Sequence, residues 1–194
     1  MRFASMRNLD ISNGEGVGVS LFVQGCDRHC FNCFNPDTWD FNCGKEWTEE
    51  TKNKFIKLID RPYINRISIL GGEPLAEQNL DEVLSLIKEI RISFPEKTIW
   101  LYTGYKLELL SEEIYNSTKQ ICTISHFYPI PNKTEFAENQ AKRREIIELC
   151  NIVVDGEYID EQKDVTKKWA GSKNQRVINV KQSLAQNKII LYCD

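Results

Sequence analysis

The chain has 194 residues and carries 25 Lys and Arg against 28 Asp and Glu, a net charge of −3, which suits one domain and is too small for a strong global field. Hydrophobic residues make up 41% and charged residues 27%, near the globular average and unlike a disordered or membrane-spanning chain. Residues 1–10 hold no uninterrupted apolar stretch, so neither a signal peptide nor a transmembrane helix is expected there, and cytoplasmic residence without a membrane partner follows as an expectation. Nucleic acid is not an expected partner either: the basic run Lys142-Arg143-Arg144 lies among Glu138, Glu145 and Glu148 and reads as a solvated helix face.

In chain order, residues 19–24 form a short apolar run that ends at Gly25, as a buried strand delivering a loop would. Thr48, followed by Glu49 and Glu50, opens a helix through Phe55, Ile56 and Ile59 that Arg61-Pro62 closes. Residues 66–70 read as a second strand, broken at Gly71-Gly72. Leu80, Val83, Leu84, Ile87 and Ile90 recur at helical spacing, which predicts an amphipathic helix over 79–93. Residues 99–102 are a third strand, 121–124 a fourth, 125–138 an irregular excursion, 137–150 a helix and 151–154 a further strand. No internal repeat or low-complexity segment is present.

Strands alternating with helices predict parallel pairing through right-handed crossovers, hence an α/β fold. Chemistry in such folds gathers at the carboxyl ends of the strands. Cys26, Gly71, Thr103 and Asp155 each follow a predicted strand, so four loops are expected to meet at one site.

Seven cysteines are an odd number, and in a reducing compartment they do not read as a disulfide framework. Cys26, Cys30 and Cys33 stand at C-x3-C-x2-C. Three soft thiolates around a cubane of four irons leave one iron free for a substrate. Cys43 could complete a four-ligand set, so a zinc-stapled binding module or a closed cluster stays open on spacing alone. Cys122 in an apolar run and Cys150 at a helix end read as small core hydrophobes, Cys193 as an exposed thiol, and neither His29 nor His126 as catalytic.

The cysteine loop resembles the signature of the radical S-adenosylmethionine superfamily. Asn32 stands where that pattern usually has an aromatic residue, with Phe34 beyond Cys33 instead; this departure resembles the branch that activates anaerobic ribonucleoside-triphosphate reductase. Also similar to that branch, in the same order, are Asn13-Gly14-Glu15-Gly16, Thr38-Trp39, Leu70-Gly71-Gly72-Glu73-Pro74-Leu75, residues 99–105, Val154-Asp155-Gly156-Glu157 and Trp169-Ala170-Gly171-Ser172-Lys173-Asn174-Gln175-Arg176.

The resemblance implies an α/β fold, a partial (open) parallel β/α barrel of the radical S-adenosylmethionine type, in one domain over 1–194, with 117–150 an insertion relative to the shortest relatives. It implies one 4Fe-4S cluster with an open iron site on Cys26, Cys30 and Cys33, and S-adenosyl-L-methionine as cosubstrate. Gly71, Gly72 and Glu73 would clamp its methionine part, Asn32, Cys33 and Phe34 would line its adenine, and Thr103 and Asp155 would reach its ribose or methionine portions. The implied activity is reductive cleavage to a 5′-deoxyadenosyl radical and formation of a glycyl radical on the large reductase subunit. A low-potential donor such as flavodoxin or ferredoxin would feed it electrons. Activation of another glycyl radical enzyme, such as pyruvate formate-lyase, is the alternative within the same chemistry.

Overall fold

The computed structural model describes residues 1–109 and 133–193. Its strands are β1 (Arg2–Asp10), β2 (Gly18–Val23), β3 (Lys45–Glu46), β4 (Arg66–Gly71), β5 (Thr98–Thr103), β6 (Ile152–Asp155), β7 (Arg176–Asn179) and β8 (Leu191–Cys193), and its α-helices are α1 (Glu49–Ile59), α2 (Leu80–Ser93), α3 (Lys133–Glu148) and α4 (Val180–Gln186). The strands make one sheet in the order β3-β1-β2-β4-β5-β6-β7-β8, whose end strands do not pair with each other. The fold is mixed α/β with a parallel-rich, unclosed sheet.

The predicted parallel core is present: β2, β4, β5 and β6 pair in parallel, each with the next. Because each crossover steps one strand in the same direction, right-handedness places α1, α2 and α3 on one face. Period-two alternation follows from that. Val19, Leu21, Val23, Ile67, Ile69, Ile99, Leu101 and Val153 turn to the helices and join Phe55, Ile59, Leu86, Ile87, Ile90 and Ile146 in one buried core. Each such fully buried aliphatic stabilises the fold by roughly 1.5–3 kcal/mol.

The opposite face carries Trp100, Ile152, Val154 and Val177 and, toward the start of the parallel strands, a buried polar group. Asp10 accepts from Ser20 Oγ at 2.8 Å and from the Asn13 side chain at 2.6 Å, and Arg66 donates to Asn13 O, Asp10 O and Ser68 Oγ. Burial alone would raise the Asp10 carboxyl, but these donors, with the Ser12 and Asn13 amides, hold it at about 2.

Several elements differ from the sequence expectation. Residues 2–10, unassigned from periodicity, form β1 antiparallel to β2, and β7 and β8 add an antiparallel ribbon beyond β6. The excursion expected through 138 is helical from Lys133 onward. Arg143 is not on a solvated face: it is buried, donates to Leu75 O at 2.9 Å, and lies 5.0 Å from the Tyr105 ring centre. The strand predicted at 121–124, with Cys122 and His126, lies outside the described residues. Helix α1 begins as expected, with Thr48 accepting from the Thr51 amide at 3.2 Å. Among the described residues no helix is long and apolar enough to cross a membrane.

Candidate iron–sulfur site

The loop after β2 is closed at its base by backbone. Gly25 N–H donates to Thr38 O at 2.8 Å and Cys26 N–H to Trp39 O at 3.0 Å, while the Gln24 amide donates to Asp37 O and Asp40 O. Within it the chain turns tightly enough that His29 and Asn32 take positive φ of 47° and 54°; histidine and asparagine are among the non-glycine residues that tolerate this region best. Cys33 N–H closes a turn onto Cys30 O at 3.1 Å. His29 turns outward and stacks on Trp39 at 4.8 Å.

Cys26, Cys30 and Cys33 are free, half-buried thiols on this loop. Burial pushes Cys26 up to about 11 and raises Cys30 as well. Such thiols stay protonated until a metal's positive charge displaces the protons. The Asn35 amide points at the Cys33 sulfur from 3.3 Å, the kind of N–H contact that tunes iron–sulfur clusters. Among the described residues no three Cys, His, Asp or Glu side chains converge as ligands of a single ion. A cubane instead spreads its thiolates over separate iron corners, so three neighbouring soft donors on one loop fit a cluster. Cys43 is engaged elsewhere: its thiol donates to Asp40 Oδ2 at 3.2 Å and its carbonyl accepts from Arg2.

The turn after β4 is pressed against this loop, and here glycine is required. Gly71 has φ 110°, and a Cβ on Gly72 would lie 2.3 Å from Gly25 O. Glu73 N–H donates to Gly25 O at 2.8 Å. Asn79, at the start of α2, donates through one amide to both Gln24 O (3.1 Å) and Glu73 O (3.0 Å), joining the two loops. Sequence periodicity marked position 79 only as a helix start; nothing in it showed that the side chain bridges two backbones.

Glu73 is buried and links β4 to β5. Its carboxylate accepts from Thr103 Oγ1 at 2.8 Å, Gly104 N–H at 2.7 Å and Leu75 N–H at 2.9 Å. Burial raises its pKa against those donors and the nearby Arg28 charge. Thr103 in turn accepts from Tyr105 N–H at 3.1 Å. Asp155, at the end of β6, accepts from Leu107 N–H at 2.9 Å and takes both arms of Arg176, which also grips Glu108 through two 2.6 Å contacts. The four predicted loops thus lie at one end of the parallel strands, with those after β2, β4 and β5 tied directly together. Arg28, absent from the sequence expectation, fastens the cysteine loop to two others: its guanidinium lies 3.9 Å from the Tyr105 ring centre and donates to Glu157 at 2.9 Å. Asn32 donates to Asp160 at 2.9 Å, and Phe34 packs on Tyr158 at 4.9 Å. Phe31 is 72% exposed and leaves the rim of the site apolar.

A parallel-rich sheet with three thiols on the loop after its first parallel strand suits an iron–sulfur protein, and comparison with known proteins shows that class. The family of 4Fe-4S single cluster domains matches residues 12–178. The chain is 34% identical to the anaerobic ribonucleoside-triphosphate reductase-activating protein of Salmonella typhimurium, over 91% of this chain and 97% of that protein. It is 32% identical to the proteins of the same name from Escherichia coli K12, over 91% and 97%, and from Enterobacteria phage T4, over 91% and 93%. The chain belongs to the 4Fe-4S single cluster family and, within it, to the anaerobic ribonucleoside-triphosphate reductase-activating proteins.

Proposed function

We propose that this chain is the radical S-adenosylmethionine enzyme that installs the glycyl radical on the large subunit of an anaerobic ribonucleoside-triphosphate reductase. The observation that carries the reading is the backbone contact between the Gly71-Gly72-Glu73 turn and the root of the cysteine loop, where Gly72 leaves no room for a Cβ beside Gly25. A glycine-lined turn packed on the root of the loop that carries the three thiols supports the reading, since a ligand spanning turn and loop would need both. Cys26, Cys30 and Cys33 would hold a 4Fe-4S cluster with one open iron, which would supply the electron for reductive cleavage of S-adenosyl-L-methionine into methionine and a 5′-deoxyadenosyl radical able to take the glycine hydrogen.

The residues then divide the work. Gly71 and Gly72 present backbone to the methionine part, and Glu73 fixes the turn through Thr103 and Gly104. Asn32, Cys33 and Phe34 line the adenine side. Thr103 and Asp155 form the β5 and β6 walls, both bonded to the loop after β5, Thr103 through Tyr105 N–H and Asp155 through Leu107 N–H. The unclosed sheet is the open side of a partial barrel in a single domain over 1–194, leaving room for a glycine carried by a partner protein, and 117–150 is an insertion relative to shorter relatives. A flavodoxin or ferredoxin is the proposed electron donor.

The test is anaerobic mixing of reduced, iron-loaded protein with S-adenosyl-L-methionine and the reductase subunit. A glycyl doublet in electron paramagnetic resonance is expected. Release of 5′-deoxyadenosine with pyruvate formate-lyase but not with the reductase would move the substrate to that enzyme. A colourless protein holding one zinc would replace the reading with a binding module.

A further inference from the structure

The Trp-Ala-Gly-Ser-Lys-Asn-Gln-Arg run has no part in the proposed chemistry, yet the structure gives its middle a specific task. Asn174 donates to Glu157 O at 2.7 Å, Gln175 to Gly156 O at 2.9 Å, Lys173 N–H to Gln162 O at 2.8 Å, and Ser172 Oγ accepts from Ile159 N–H at 3.3 Å. These bonds hold residues 156–162 as a strap. The strap lies along the cysteine loop, with partners 129 and 128 residues apart in sequence: Glu157 takes Arg28 at 2.9 Å and Asp160 takes Asn32 at 2.9 Å. Tyr158 packs on Phe34 at 4.9 Å and donates through its hydroxyl to Asp160 at 2.6 Å.

The distribution of these contacts is uneven. Cys26 is fixed by its own amide bond to Trp39 O at the base of the loop. Arg28 and Asn32 bracket Cys30, and Phe34 follows Cys33, so the far half of the loop leans on the strap. We infer that Glu157, Tyr158 and Asp160 are positioning residues, which set Cys30 and Cys33 relative to Cys26 and thereby tune the cluster those thiols hold. The inference rests on the proposed function only in assigning a cluster to the thiols. The Asn35 N–H donates to the Cys33 sulfur at 3.3 Å, a contact that depends on where the far half of the loop sits. A donor at a ligand sulfur favours the more electron-rich, reduced cluster. Loss of the strap should therefore make the cluster harder to reduce.

Tyr158→Ala removes the ring and the Asp160 bond without changing charge, and Tyr158→Phe keeps the ring. In metal-free full-length protein, iodoacetamide labelling read cysteine by cysteine should accelerate several-fold at Cys30 and Cys33 in Tyr158→Ala, with Cys26 unchanged and Tyr158→Phe close to the parent. Asp160→Ala should show the same pattern more weakly. In iron-loaded protein, Tyr158→Ala should reduce at a more negative potential and alter the paramagnetic resonance spectrum with S-adenosyl-L-methionine, and Tyr158→Phe should restore both. Equal acceleration at all three thiols, no acceleration, or an unmoved potential would overturn the inference. Failure of the parent protein to take up about four irons would instead sink the proposed function, leaving the labelling comparison to decide on the strap.

Discussion

Replacing Gly72 by alanine tests the contact on which the site depends. The added Cβ would meet Gly25 O at 2.3 Å, Gly25 C at 2.9 Å and Gly25 N at 3.1 Å, all backbone atoms that cannot rotate aside. Reaching ordinary contact at 3.4 Å requires the two loops to part by about 1 Å. Overpacking of this kind destabilises by about 1–3 kcal/mol, which in a chain of this size lowers Tm by roughly 2–4 °C per kcal/mol. The functional loss should be larger, because a displacement of about 1 Å at a reacting centre can reduce rate about 100-fold. The assay pairs a thermal melt with 5′-deoxyadenosine release by iron-loaded protein. Gly104→Ala is the control, since its Cβ would meet side-chain rather than backbone atoms, Arg28 Cγ at 3.1 Å and Glu73 Oε2 at 3.3 Å, and it should lose less. A Gly72→Ala protein that melts normally and cleaves its cosubstrate at the parent rate would refute the claim that the two loops act as one packed unit.

Arg176→Ala should destabilise the fold by about 3–5 kcal/mol in urea titration, because it leaves the buried Asp155 carboxylate without its forked partner; a loss below 1 kcal/mol would mean that Asp155 draws its support elsewhere. Asp10 predicts acid sensitivity. Its carboxyl sits at about 2 in the fold against an ordinary 3.8, so its contribution, on the order of 2 kcal/mol, is present above 3.8 and disappears as pH falls through about 2. Asp10→Asn should flatten stability over that window, measured as unfolding free energy against pH. Cys43→Ser should retain the full iron content and brown colour of the parent, whereas Cys30→Ser should lose them; loss of metal in Cys43→Ser would return the four-ligand reading.

The strands and helices that position the site were legible in the sequence because their signals are local. Apolar residues at 19–23, 66–70 and 99–102 cluster as buried strands do, and those at 80–90 recur at helical spacing. The thiol triplet was equally legible, since three cysteines within eight residues need no long-range information. The tertiary structure alone decided that β1, β7 and β8 run antiparallel around the parallel core, because β1, flanked on its outer side only by the two-residue β3, buries too little to show a clean alternation. It alone buried Arg143, whose charge reads as surface until Leu75 O and the Tyr105 ring are found beside it. It alone revealed Asn79 and the strap, for a hydrogen bond between residues 55 or 129 positions apart leaves no periodic trace. Local pattern set the thiols and the elements; the packing between elements set how those thiols are held.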